Sequence, residues 1–228
     1  MNLTMEKSTP PALDAKSGSR RNSASFLRSS HTTKSPAVFL DRDGVINEII
    51  FHEEMGIIET PFTVSQFRLR PGTGTAIRRL NQLGFKTVIV SNQPGVAMRH
   101  FSKKTLAAIT QRMLELLSRE GAVIDGIYYC IHHPKKGFGS LKCRCACRKP
   151  KPGLLISAAR AMNLDLTKSF IIGDSITDVE AGKRAGVKTL LLAHLKCDLC
   201  HLMEQRGIKP DWMAKDLLEA VKKIARLG

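Results

Sequence analysis

From Ala37 onward, short apolar runs alternate with longer stretches whose apolar residues recur at helical spacing, and that alternation leaves few folds open. Residues 37–40 (Ala-Val-Phe-Leu), 86–90 (Lys-Thr-Val-Ile-Val), 124–129, 169–172 and 189–192 are too short for helices and read as buried strands. Helical patterns fill the intervals over 73–83, 102–119, 152–162 and 177–185, with a last one over 211–225. Within 102–119, Leu106, Ile109, Met113, Leu116 and Leu117 share one helix face, and Leu217, Leu218, Val221 and Ile224 form a second core-packing stripe. Strands alternating with helices become parallel neighbours joined by crossovers. The expected fold is therefore α/β, a parallel sheet with helices on both faces. A chain of 228 residues suits one sizeable core, or a core with a small insertion.

Residues 1–36 lack this periodicity. They are Ser-rich and basic, carry Pro10-Pro11 and Ser35-Pro36, and read as a disordered tail before a single domain over 37–228. Arg20-Arg21 is followed by no apolar stretch, which argues against a secretory signal. An organelle transit peptide is the alternative reading of a Ser- and Arg-rich segment whose only acids are Glu6 and Asp14. No apolar run is long enough to span a bilayer.

Two carboxylates, Asp41 and Asp43, follow the first strand in the run Phe39-Leu40-Asp41-Arg42-Asp43-Gly44. In an open α/β sheet the C-terminal strand edge is where ligands bind. Two aspartates in one tight turn repel each other unless a cation neutralises them, so a divalent metal is implied. Alternate positions permit different tasks: Asp41 can face a substrate as nucleophile while Asp43 reaches the leaving group as acid. Alone, the pattern is also that of an Asp-rich surface turn.

Its weight rises with the other strand ends. After 86–90 come Ser91-Asn92-Gln93-Pro94-Gly95, whose hydroxyl, amides and turn N–H groups can hold phosphoryl oxygens without adding charge. After 169–172 come Gly173-Asp174-Ser175-Ile176-Thr177-Asp178. There Asp174 would complete an oxygen-ligand Mg²⁺ site with the first aspartates, and Asp178 is either a further ligand or a helix-start residue favoured by the dipole. Between them, Arg148-Lys149-Pro150-Lys151-Pro152 projects cations beside a helix N-terminus. Lys149 can meet a phosphoryl group as a point charge, and Arg148 can fork onto a phosphate or a hydroxyl.

The formal charge of +16 draws anions but does not choose among nucleic acid, membrane surface and phosphorylated metabolites. One Trp and two Tyr cannot supply a row of stacking platforms for single strands. Cys130-x-His132 and Cys145-x-Cys147 enclose a Gly/Lys loop (130–147) that also holds Cys143, and three thiolates with one imidazole make a tetrahedral Zn²⁺ set. Without a secretion signal, metal is favoured over disulfides, although Cys143 offers one thiol more than the site needs. Cys197-x2-Cys200-His201, near His194, reads as a loop without metal.

Asp41-x-Asp43, Ser91, Lys149 and Gly173-Asp174-x3-Asp178 stand in the order of the four motifs of the haloacid dehalogenase-like phosphatases, which this chain resembles over residues 38–192. The resemblance implies a Rossmann-like sheet with a minimal cap, Mg²⁺ and an aspartyl-phosphate intermediate. It makes Asp41 the nucleophile, Asp43 the acid/base, and Ser91 and Lys149 the transition-state stabilisers. Asp41, Asp174 and the Asp43 carbonyl become metal ligands, while Asn92, Gln93, Arg148 and Lys149 are, from their own chemistry, the expected substrate contacts. The Cys-x-His, long loop, Cys-x-Cys-Arg-Lys-Pro register resembles the zinc-containing D-glycero-D-manno-heptose-1,7-bisphosphate 7-phosphatase family. That likeness selects Cys130, His132, Cys145 and Cys147 and leaves Cys143 free. Histidinol-phosphate phosphatases carry a shorter loop than the twelve residues between His132 and Cys145.

Two positions depart from that family. Glu48-Ile49-Ile50-Phe51-His52 and a longer insertion up to Pro71 replace a polar, Gly-containing loop, and Ser175 stands where Lys is usual. Ile50, Phe51 and His52 leave the strand beside Asp43 and are expected to cover the leaving group. The resulting expectation is a monomeric, cytoplasmic, Mg²⁺-dependent phosphomonoesterase with a structural zinc, acting on a small phosphorylated sugar without membrane or nucleic-acid partners. Histidinol phosphate or another small ester is the neighbouring alternative; a basic module that binds nucleic acid or processes its ends is the alternative from another class.

Overall fold

The computed structural model describes residues 33–192 and 207–227. In chain order the elements are β1 (Ala37–Leu40), β2 (Ile50–His52), β3 (Ile57–Glu59), α1 (Thr73–Gln82), β4 (Lys86–Asn92), α2 (Lys103–Arg119), β5 (Gly126–Cys130) and α3 (Gly153–Met162). They continue with β6 (Phe170–Gly173), α4 (Ile176–Ala185), β7 (Lys188–Leu192), β8 (Trp212–Ala214) and α5 (Leu217–Leu227). Six strands form one parallel sheet in the order β5-β4-β1-β6-β7-β8. The chain thus builds outward from β1 on one side and then restarts at β6 on the other. That reversal leaves a crevice between the C-terminal ends of β1 and β6.

Period-two alternation explains how β1 can be buried on both faces. Val38 and Leu40 pack with Ile77 and Leu80 of α1, Ile109 and Met113 of α2, and Val221 and Ile224 of α5. Ala37 and Phe39 face Leu154, Leu155 and Ala158 of α3 and Ala181 of α4. A strand covered on both sides reads as a continuous apolar run, which is why it was visible in the sequence.

Two clips fasten the opposite, N-terminal edge. Asp125, just before β5, accepts from Thr87 N–H (2.9 Å) and from Lys86 Nζ (2.7 Å). Asp211, just before β8, repeats the arrangement with Thr189 N–H (2.8 Å) and Lys183 Nζ (2.5 Å).

Three expectations change. Residues 212–214 are strand rather than helix, because Asp211 ties this stretch to β7 and the helix starts only after Asp216. There the Asp216 carboxylate accepts from Glu219 N–H (2.8 Å), while the Glu219 carboxylate accepts from Lys215 N–H (3.0 Å). Ser35 and Pro36 belong to the folded body rather than a tail. Ser35 N–H donates to Asn163 O (3.1 Å) and Pro36 O accepts from Lys86 N–H (3.0 Å). The insertion forms an antiparallel hairpin, with Ile50 opposite Glu59 and His52 opposite Ile57. His194, Cys197, Cys200 and His201 lie outside the described residues.

Candidate active site

Asp41 is the first residue beyond β1, its N–H bonded to Ile172 O of β6 (3.0 Å), and Asp174 is the first beyond β6. Both therefore stand at the crevice. Asp178 joins them from the first turn of α4, and carboxylate oxygens of the three lie within 4.8 Å of one another. Gly44 (φ +79°) permits this approach, since a Cβ there would fall 2.0 Å from Asp174 Oδ2.

Lys149 is almost wholly buried and threads between the acids, with Nζ 3.0 Å from Asp41 Oδ1, 2.5 Å from Asp178 Oδ1, and donating to Val90 O (2.9 Å). Burial alone would lower its pKa, but Asp178 and Asp41 outweigh that and raise it, so the ammonium stays charged. Burial pushes Asp41 up to about 6 despite Lys149, with Asp178 and Asp43 adding to the rise. Asp174 goes up to about 7, through burial and then repulsion from Asp41 and Asp178. A crowd of carboxylates that resists ionisation is a donor set suited to a hard divalent cation. Asp178 is the least available of the three. Its Oδ1 holds Lys149, its Oδ2 caps Ser175 N–H (3.2 Å), and it packs so closely on Gly173 that a Cβ there would sit 2.2 Å away.

Asp43 is anchored on every side. Oδ1 accepts from Thr60 Oγ1 (2.7 Å), Asn47 Nδ2 (3.0 Å) and Arg42 Nη2 (3.0 Å), and Oδ2 from Gln93 Nε2 (2.6 Å). Burial would raise its pKa, but Arg42 and the bonds from Asn47 and Thr60 reverse this and hold it below the usual carboxylate range. Arg42 is fully buried over the Tyr129 ring (5.6 Å) and also bonds Thr60 Oγ1 and Gln93 Oε1.

The polar run after β4 is tied into the surrounding site. Ser91 is buried at the end of β4, beside Gln93 Nε2 (3.1 Å). The Asn92 side chain exchanges two bonds with the Lys149 backbone (3.1 Å each), and the Gln93 amide is spent on Asp43, Arg42 and Ser91. The Asn92 and Gln93 side chains thereby position Lys149 and Asp43.

Cys130, His132, Cys145 and Cys147 converge at the end of β5, with sulfur–sulfur separations of 3.2 to 3.6 Å and Cys147 Sγ 3.4 Å from His132 Nδ1. These are far longer than a disulfide and close to the edges of a tetrahedron of thiolates around zinc. Cys143 lies outside the group. Arg148, next to Cys147, donates to His132 O (3.3 Å).

A cleft of about 660 Å³ opens between the hairpin, the loop after β4 and the cysteine loop. Its walls include Ile57, Ile58 and Glu59 of the hairpin, Met98 and His100, and Lys136, Phe138 and Arg148. The hairpin strand facing it is β3, not the 50–52 strand nominated from sequence. Phe51 is 58% exposed, Ile50 pairs with Glu59, and His52 stacks on Phe62 (3.7 Å) while bonding Thr60 O (3.0 Å). Arg42, Asn47, Glu59 and Thr60 escaped the sequence reading. A charged residue flanked by two acids was the available signal for Arg42; nothing local marked Thr60.

A doubly wound sheet with this carboxylate and lysine set at its switch point defines a haloacid dehalogenase-like hydrolase, and the family model described as HAD-hyrolase-like matches residues 146–220. The D-glycero-β-D-manno-heptose-1,7-bisphosphate 7-phosphatase of Vibrio cholerae is 40% identical over 159 residues, covering 69% of this chain and 80% of the relative. The enzyme of that name from Escherichia coli K12 is 34% identical over 191 residues, covering 82% and 94%. The structure of D,D-heptose 1,7-bisphosphate phosphatase from B. bronchiseptica, complexed with magnesium and phosphate, superposes with a TM-score of 0.69 at 30% identity, covering 85% of this chain and 99% of that one. The chain belongs to the heptose-1,7-bisphosphate 7-phosphatase family of haloacid dehalogenase-like hydrolases, and it is a phosphatase.

Proposed function

We propose that this phosphatase removes the 7-phosphate of D-glycero-D-manno-heptose 1,7-bisphosphate through an aspartyl-phosphate. The observation that carries the reading is the junction of two clusters. The cysteine/histidine group ends at Cys147, and the next two residues are Arg148 at the cleft and Lys149 on Asp41. Oδ1 of Asp41 is occupied by Lys149 and by Arg42 N–H (2.7 Å), which leaves Oδ2 to attack phosphorus. As the new P–O bond forms, the bond to the sugar oxygen breaks and Asp43 supplies that oxygen with a proton. Asp43 begins ionised; the charge of the arriving phosphate raises its pKa, and it takes up a proton from solvent water before the ester bond breaks. In the second half Asp43 takes a proton from water, the water attacks phosphorus, and Asp41 is released with inorganic phosphate. Ser91 and Lys149 hold the equatorial oxygens.

Asp41, Asp174 and the Asp43 carbonyl are the residues to hold Mg²⁺, which when bound screens the phosphoryl charge. Cys130, His132, Cys145 and Cys147 are the residues to hold a structural Zn²⁺. The cluster of free thiols supports a cytoplasmic setting, and among the described residues no helix is long and apolar enough to cross a membrane.

Phosphate release from the heptose bisphosphate, histidinol phosphate and a 3′-phosphorylated oligonucleotide tests the reading. The highest kcat/KM is expected for the heptose ester. A preference for histidinol phosphate or the oligonucleotide would overturn it.

A further inference from the structure

We propose that Glu59 and His100 form a hydroxyl-binding subsite that selects phosphate esters whose leaving alcohol is a polyol. The inference rests on the phosphatase reading above and adds the residues that recognise the alcohol. Among the described residues, the buried side-chain polar atoms without a hydrogen-bond partner are Arg42 Nη1, Asn47 Oδ1, Glu59 Oε2 and His100 Nδ1. The first two belong to groups whose other atoms are bonded to Asp43. The other two belong to residues that line the cleft beside Arg148, and the Glu59 carboxylate there lies close enough to Asp43 for that charge to push its pKa up, after burial.

A buried polar atom left unpaired is costly, so two in one cleft mark where a ligand supplies the missing bonds. Their chemistry complements a diol. The Glu59 carboxylate can only accept, so its counterpart must donate; the imidazole nitrogen can serve a hydroxyl in either direction. Ile57 and Met98 in the same walls offer apolar surface to the C–H face of a carbon chain. The subsite is also placed where a leaving alcohol must lie. Glu59 precedes Thr60, whose hydroxyl donates to Asp43 Oδ1 (2.7 Å). An alcohol whose ester oxygen receives a proton from Asp43 therefore brings its neighbouring hydroxyls toward Glu59. An alkyl ester of equal length would leave both atoms unpaired, and sites of this kind discriminate strongly.

The probes are sorbitol 6-phosphate and n-hexyl phosphate, which have matched carbon counts and primary ester oxygens but differ in their hydroxyls. The wild type should prefer sorbitol 6-phosphate, and Glu59→Ala should lower its kcat/KM about 10- to 100-fold while changing hexyl phosphate less than about two-fold. His100→Phe keeps a ring against Phe62 (4.8 Å) and should reduce the same preference, which guards against a Glu59 variant that merely folds poorly. Equal losses on both esters would make Glu59 a prop for Thr60 and overturn the proposal, as would an unchanged preference in both variants. If sorbitol 6-phosphate depends on Glu59 while the heptose bisphosphate is a poor substrate, the subsite stands and the heptose assignment falls.

Discussion

Lys149 brings two kinds of demand into one side chain, because a buried ammonium needs a counter-charge before it can serve a phosphate. It has two, Asp41 and Asp178, and they are not equivalent. Asp41→Asn should abolish phosphate release, by at least about four orders of magnitude, since no other nucleophile stands in its place. It should still fold, because Asp178 continues to neutralise Lys149, and circular-dichroism melting would show this. Residual turnover above that level would sink the aspartyl-phosphate route. Asp178→Ala should behave in the opposite way. Removing the closer partner of a buried ion pair typically costs about 3–5 kcal/mol, so urea midpoints should fall well before any question of chemistry arises. A variant as stable as wild type would mean that Asp41 alone satisfies Lys149. Asp41, Asp43 and Asp174 were legible in the sequence because strand ends mark themselves by a switch from apolar to polar, and Lys149 because it stands in a basic, proline-bearing run just before a helix. Thr60 and Glu59 were not, since their role depends on a hairpin folding back onto Asp43, and periodicity carries no information about such a return.

At the scale of elements, burial decided what could be foreseen. β1, β4, β6 and β7 are clothed on both faces and show as apolar runs; β8 is a three-residue edge strand held by Asp211, and β2 and β3 lie outside the core. The Asp211 clip has a pH signature. Its carboxyl sits below the usual value: burial opposes this, but Lys183 and the bonds from Thr189 prevail. A depressed folded pKa contributes stability that is present above the unfolded value of 3.8 and is lost as pH falls through the folded one. Asp211→Asn should therefore cost about 1–2 kcal/mol in denaturant melts at pH 7. The gap to wild type should close as pH falls through the depressed folded pKa, and a constant gap would assign the loss to shape alone. The cysteine loop has little apolar content, so the proposed zinc would supply much of its order. One zinc per chain should survive dialysis and be lost in Cys145→Ser but kept in Cys143→Ser, read by elemental analysis. Equal loss in both would show that Cys143 is a ligand.

Over the whole molecule, chemistry and recognition are layered. The sheet edge holds the reacting groups, while the hairpin and cysteine loop stand above as opposite walls of one cleft. Among the described residues the site is built from positions 41–178, so deletion of residues 1–32 is expected to leave kcat/KM and the melting temperature within experimental error. A drop in either would make that segment part of the working enzyme. The +16 charge was visible at once yet uninformative about function, because net charge is a property of the whole surface and catalysis here belongs to a few buried groups. The hairpin links the two layers. Its Thr60 hydroxyl is one of the bonds fixing Asp43, so the segment proposed to read the alcohol also holds the proposed acid. Descendants of this gene cannot trade that insertion for a foreign one as freely as an ordinary surface loop. Any replacement that opens a new diet must arrive with its own hydroxyl at the same depth, which makes substrate range and turnover a jointly inherited trait.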